Sequence, residues 1–227
     1  RDVLAGNPEI EPQTGWRYDV EAEYRLPNDA GVLSSTISYT DFDNYIGRIN
    51  ATVDPDEPLS GNGNVGPATR WAWSGRASLR LNYFKLPNAV VTAELDLVDS
   101  EITDPFLGTK QRIEGKGSAS LEFRHDVTDL GLSYGFEYRY PFHGGFRDID
   151  IVTITRNDGA RRMNAFVQKI WFDDWAFRLE ANNTFDASRC RLRQRFDGTT
   201  IDGTVALIQD SCSSRYRRLI LSIQTTF

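Results

Sequence analysis

GWRYDVEAEYRLP, residues 15–27, alternates almost without fault. Trp16, Tyr18, Val20, Ala22, Tyr24 and Leu26 fall on one side of an extended chain; Arg17, Asp19, Glu21, Glu23 and Arg25 fall on the other. A strand sends successive side chains to opposite faces, so this stretch makes a ribbon with one apolar face and one fully charged face. The apolar face needs an apolar neighbour. In a soluble sandwich that neighbour is a protein core, and in an outer-membrane barrel it is lipid.

The alternation returns along the chain. Trp71, Trp73, Ala77, Leu79, Leu81 and Tyr83 oppose Ser74, Arg76, Ser78, Arg80 and Asn82. Val91, Ala93, Leu95 and Leu97 oppose Thr92, Glu94 and Asp96; Ala119, Leu121 and Phe123 oppose Ser118, Ser120, Glu122 and Arg124. Leu132, Tyr134, Phe136, Tyr138 and Tyr140 repeat the pattern, and Leu33, Ser35, Ile37 and Tyr39 give a weaker version. Residues 163–172 are the least regular, with Phe166 and Ile170 on the nominally polar side. With no convincing amphipathic helix, the sequence reads as all-β, with roughly nine long strands.

Two kinds of connection take turns. Residues 26–31, 86–88, 126–129 and 173–174 are short turns in which Pro, Asn and Asp play their usual roles. Between them lie longer polar loops at 54–68, 100–112 and 197–203. Short turns at one end and long loops at the other fit an antiparallel up-and-down transmembrane β-barrel, whereas Greek-key sandwiches mix both kinds at both ends. Tyr24, Tyr83, Phe84, Phe123, Trp171, Phe172 and Trp175 lie near the short turns. They read as one interfacial aromatic girdle, against the plainer explanation that aromatics favour strands everywhere. The charges recurring at mid-strand on the other face would be costly inside a small closed soluble barrel. They are ordinary outside a sandwich, and wet inside a wide barrel.

Composition narrows the partners. The net charge is −6 and no basic run or stripe stands out, which argues against nucleic acid. A mean hydropathy of −0.46 and no apolar run near eighteen residues exclude a spanning helix, but not strands that give lipid every second residue. No targeting signal is visible at Arg1, so the chain is expected to be a mature protein or a piece of a longer one.

The final stretch, RYRRLILSIQTTF, puts Leu219, Leu221, Ile223, Thr225 and Phe227 on one face. Pairing it antiparallel with the strand from Trp175, pivoting on Ile201, sets Phe227 opposite Trp175, Ile223 opposite Leu179, Leu221 opposite Ala181 and Gln224 opposite Arg178. Apolar then meets apolar along the ladder. The same register brings Cys190 opposite Cys212, the only two cysteines, so they are expected to form a disulfide in an oxidising compartment, the alternative being two free thiols.

Residues 5–27, AGNPEIEPQTGWRYDVEAEYRLP, resemble the "NPxLxPE" segment and following strand of the C-terminal half of TonB-dependent outer-membrane receptors. Asn7, Pro8, Glu9, Ile10, Glu11 and Pro12 carry the match; Gln13 stands where the family usually has Glu, and Glu11 where Lys is common. SYTDFDNYIGRI is similar to the family's "Y…DIxDxI" strand. Leu221, Ile223, Thr225 and Phe227 resemble the C-terminal signal read by the barrel-assembly machinery. The resemblance covers essentially the whole chain. It implies a bacterial outer-membrane receptor that takes up a scarce small-molecule ligand, such as an iron-siderophore, vitamin B12 or an oligosaccharide, energised through TonB. Such receptors are plugged 22-stranded barrels. Roughly nine strands, with no plug domain or TonB-contacting box before Arg1, make residues 1–227 the expected C-terminal portion of the barrel. Its expected partners are lipid, the rest of the receptor with its plug, and the TonB complex.

Enzyme chemistry is not expected. His125 and His143 lack metal-spaced partners, no serine has a nucleophile-elbow context, and the glycines of GNGNVG (61–66) lack a following Lys-Ser/Thr. No catalytic residue, cofactor or metal is therefore assigned. Two other readings stand beside the receptor: a complete small outer-membrane barrel (porin or adhesin), and a soluble β-sandwich that binds carbohydrate.

Overall fold

The computed structural model describes residues 4–142, 146–171, 174–214 and 216–225. Its strands are β1 (Leu4–Ala5), β2 (Gly15–Leu26), β3 (Gly31–Asn50), β4 (Ser60–Arg80), β5 (Ala89–Thr103), β6 (Lys110–Gln111), β7 (Gly117–Val127) and β8 (Leu132–Phe142). They continue with β9 (Asp148–Ile149), β10 (Thr153–Asp158), β11 (Arg162–Trp171), β12 (Trp175–Asn182), β13 (Ser188–Asp197), β14 (Thr204–Ser214) and β15 (Arg218–Thr225).

Nine of them form one antiparallel meander in the order β15-β12-β11-β8-β7-β5-β4-β3-β2, with β1 and β6 as short additions. Every alternating stretch read from the sequence is a strand of this sheet. A second sheet, β14-β13-β10-β9, is built from two of the long connections. The chain is all-β, with antiparallel long strands. The main sheet is open: among the described residues no ladder joins β2 to β15, so there is no closed barrel, where the sequence led to the expectation of part of a larger one.

The alternation of short and long connections carries over into the fold. Turns of one end hold single 3-10 turns at Pro27–Asp29, Asn82–Phe84 and Thr128–Leu130. Each includes or precedes a residue with positive φ: Asn28 (58°), Lys85 (59°) and Gly131 (56°). Asn and Gly tolerate that region best, which explains their use here. At the other end two expected loops shrink. Residues 60–68 belong to β4, and 100–103 to β5. GNGNVG is therefore strand and not loop; it pairs with the upper half of β3 beyond a bulge at Phe42/Tyr45.

The last ladder needs a correction. Trp175 faces Thr225, Phe177 faces Ile223, Leu179 faces Leu221 and Ala181 faces Leu219, a register two residues from the expected one. Cys190 still faces Cys212, because β13 and β14 keep the expected register. The two ladders disagree because five residues, 183–187, separate β12 from β13, whereas three, 215–217, separate β14 from β15. Asn183 holds the longer side: its side chain accepts from the Ala187 N–H at 3.1 Å and donates to the Ala187 carbonyl at 3.3 Å. An even shift keeps every side chain on its face. Phe227, Thr226, Phe172, Asp173 and His143 lie outside the described residues.

Little of the molecule is core. Its accessible surface is 15252 Å², where a compact 25.7 kDa monomer would show about 10,400 Å². The excess arises because the main sheet is a single layer. Trp16, Val20 and Leu221 are 69%, 68% and 67% exposed. The described buried cluster, Phe106, Ile149 and Ile151 with Leu107, Val152 and Ile154 against it, sits in the long-connection layer.

Candidate functional site

The ladders assemble the apolar sides of the strands into one surface. Val20, Ile37, Trp73 and Leu97 form a row across β2, β3, β4 and β5. Leu79, Val91, Phe123, Phe136, Ala165, Ala181 and Leu219 form another, from β4 to β15. A contiguous apolar face of nine strands is far larger than the few hundred Å² a soluble monomer exposes. On β4 and the residue after it the band runs from Trp71 to Leu81. At the roughly 40° tilt typical of membrane-barrel strands, ten residue steps of about 3.4 Å would rise about 26 Å, close to the height of the apolar band of such barrels.

Aromatic side chains mark both edges. Tyr24, Tyr83, Phe84, Trp171 and Trp175 lie at the short-turn edge, while Phe123 sits further up its strand. At the other edge Trp16 lies beside a run across three strands, with Tyr18 6.4 Å from Tyr39 and Tyr39 4.4 Å from Trp71, ring to ring. Sequence reading saw one girdle. The second emerges only from the register, because its touching members, Tyr18 with Tyr39 and Tyr39 with Trp71, lie 21 and 32 positions apart.

Within the band, Trp73 donates from its indole to Ser35 Oγ at 2.9 Å and lies over Gly75, where an added Cβ would fall 2.8 Å from the ring. Gly75→Val should therefore lower stability by about 1–3 kcal/mol through overpacking, read as the urea midpoint of folded protein in detergent, whereas Thr92→Val on the opposite face should not.

Comparison with family models, curated proteins and solved structures finds no match for this chain.

The opposite face is polar and self-paired. Arg76 meets Glu94 at 2.8 Å, Ser74 donates to Asp96 at 2.6 Å, and Arg178 bonds Glu180 while lying 4.1 Å above the Phe166 ring. That stacking explains the phenylalanine on the polar side of β11: it serves as a platform for a cation. These groups are half exposed, so the pairs contribute little stability. They make the face wettable.

The long connections form a structured layer. Asp104 caps its turn through the Phe106 and Leu107 N–H groups at 3.0 and 2.7 Å. Ser60 bonds Asp150, the Ile151 N–H reaches Ser60 Oγ at 3.2 Å, and the Thr200 N–H reaches the Ile151 carbonyl at 2.7 Å. Burial, and after it the charge of Glu114, push the Tyr45 phenol in this layer above its usual range, so it stays neutral and able to donate.

The residues singled out from the sequence fall into separate places. Asn7, Pro8, Glu9, Ile10, Glu11 and Pro12 run alongside upper β4. Asn7 Nδ2 donates to the Asn62 carbonyl at 3.1 Å, the Glu11 N–H to Asn64 Oδ1 at 2.9 Å, and Asn64 Nδ2 returns to the Glu11 carbonyl at 3.0 Å. Leu221, Ile223 and Thr225 lie on edge strand β15, with the two apolar residues exposed. Cys190 and Cys212 are joined by a disulfide with Cα atoms 4.0 Å apart. His125 is buried, with Nε2 3.1 Å from the Pro87 carbonyl and Nδ1 2.9 Å from the Tyr134 hydroxyl. A carbonyl only accepts, so Nε2 carries a proton toward Pro87. Both nitrogens are occupied by structure, and among the described residues no group of three or more His, Cys, Asp or Glu could hold a metal.

One feature contradicts the sequence reading. RCRLRQR, 189–195, is strand β13, and its period of two places Arg189, Arg191, Arg193 and Arg195 on one face. There is a basic stripe after all. The net charge of −6 and the interleaved Cys190, Leu192 and Gln194 concealed it.

Proposed function

We propose that this chain is barrel wall of an outer-membrane uptake receptor of the TonB-dependent kind. The observation that carries the reading is the exposed, continuous apolar face bordered by aromatics at both edges, opposed to a wettable polar face. Lipid satisfies the first and a water-filled or plugged lumen the second. A β-sandwich would need a second sheet over the apolar face. A complete small barrel would need β2 paired with β15, and among the described residues no ladder joins them. The uptake role, the TonB coupling and the bacterial outer membrane as location rest on the Asn7–Pro12 resemblance. The structured layer of long connections suits ligand capture, since such loops carry specificity on a rigid scaffold.

Proteinase K added to intact cells carrying the protein should cut between 51 and 59, where the connection is exposed, and spare 81–88 and 127–131 until the outer membrane is permeabilised. Cutting confined to the short turns would invert the topology. Release from washed membranes by carbonate and urea as a soluble monomer would overturn the membrane reading itself.

A further inference from the structure

At the long-connection end of the polar face lies a cavity of about 450 Å³, lined in part by Arg139, Arg162, Arg189, Ser118, Asn183 and Ser213. Arg139 on β8 and Arg162 on β11 stand directly opposite one another in the ladder. Like charges in that position repel unless something neutralises them. Neither arginine, nor Arg189, forms an ion pair or hydrogen bond among the described residues, while most other strand arginines here are paired; the nearest acids to Arg139, among them Glu122 and Glu137, line the adjoining pocket rather than this one. The rest of the cavity offers hydroxyls, an amide and backbone, and no acid.

Arg189 belongs also to the basic stripe. Arg189, Arg191, Arg193 and Arg195 recur about every 7 Å along β13. Their neighbours across both flanking strands are Ser213, Ser211, Gln209 and Leu207 on β14, and Asn157, Thr155 and Thr153 on β10, all uncharged. Two acids of this sheet face away from the stripe, Asp210 opposite Leu192 and Asp158 opposite Cys190 while binding Arg156; Asp148, opposite Thr155, and Asp197, two residues beyond Arg195, share its face but lie away from Arg189. The stripe therefore leads along the small sheet to the cavity, and Arg189 is the residue they share.

We infer that this cavity is the binding site for a small polyanionic solute, one presenting two or more carboxylate or phosphate groups. Guanidinium forks match such groups in a bidentate manner, and three of them converging from three strands fix a ligand's orientation as a single cation could not. The volume falls in the range of small-molecule sites. Asn183, buried and bonded at both ends of the 183–187 turn, holds the cavity floor, and the Cys190–Cys212 bond lies one residue from the Arg189–Ser213 pair in its wall. The site names the solute class for the uptake function proposed above and rests on that reading only for its physiological role.

Titration calorimetry of the full chain in a nonionic detergent tests it, with citrate and pyrophosphate as tricarboxylate and phosphate probes and glucose as a neutral control. Saturable binding of at least one anion, weakened by salt, is expected. Arg139→Gln, Arg162→Gln and Arg189→Gln should each weaken it roughly tenfold or more, while Arg156→Gln, on the other face, should leave it unchanged. A linked Cys190–Cys212 peptide in each variant verifies folding. No saturable binding at millimolar anion, or equal binding by the triple arginine variant, overturns the site. Arginine-dependent binding by a protein that is shed from membranes would keep the site and sink the transport reading. Membrane insertion without anion binding would do the reverse.

Discussion

Arginine at Leu121 should nearly abolish assembly, whereas arginine at Thr92 should be tolerated. Both positions lie at the same level of the β5–β7 ladder: Ala93 pairs with Leu121, and the adjacent pair is Thr92 with Glu122. They differ only in face. Leu121 sits mid-strand on the apolar side, where a guanidinium near the bilayer midplane costs about 2–4 kcal/mol. Thr92 faces the wet side, and an arginine there meets Glu122 across the ladder. Folded, protease-resistant protein in isolated membranes is the measurement. Loss of most folded species for Leu121→Arg, with near-normal amounts for Thr92→Arg, is the expected result. Equal tolerance would mean that lipid does not cover the apolar face, and the membrane reading would fall with it.

Both positions illustrate why the main sheet was legible in the sequence. Where one face is apolar and the other charged, a period of two is visible residue by residue, as in β2, β5 and β7; β3 shows it weakly and β11 least, because Phe166 and Ile170 sit on its polar side. The short turns were equally open, because Asn28, Asn88 and Gly131 supply backbone conformations that few residues adopt. The layer above was harder. In β13 both faces are largely polar, RCRLRQR alternating arginine with cysteine, leucine and glutamine, so hydrophobic periodicity gives almost no signal. Strand β4 continues through GNGNVG, a composition that looks like loop; there the Asn64 side chain binds the Glu11 backbone from the side, and the Asn62 side chain accepts from Arg48. The register of β12 with β15 was missed by two for a related reason. Pairing quality on a face repeats every two residues, so apolar matching alone does not separate neighbouring even registers. What decided it was the asymmetric break at 183–187, whose cause is a side chain bonding its own turn.

That break also determines what the disulfide does. Closing a loop of 22 residues should stabilise the small sheet by about 3 kcal/mol in the chain-entropy model. Because Asn182↔Arg218 ends one ladder and Ser188↔Ser214 begins the next, with unpaired residues between, the stabilisation should stay on the loop side of the break. Cys190→Ser/Cys212→Ser, or reduction, should therefore open 188–214 locally while 175–182 and 218–225 keep their protection. Hydrogen exchange read by mass spectrometry distinguishes the outcomes: a protection loss of roughly a hundredfold confined to β13 and β14 is expected from about 3 kcal/mol. Arg189 moves with those strands, so anion affinity should fall in parallel even though no arginine has been changed. A uniform loss across both ladders would mean that the two sheets unfold as one unit, and unchanged exchange in 188–214 would mean that strand pairing alone holds the small sheet.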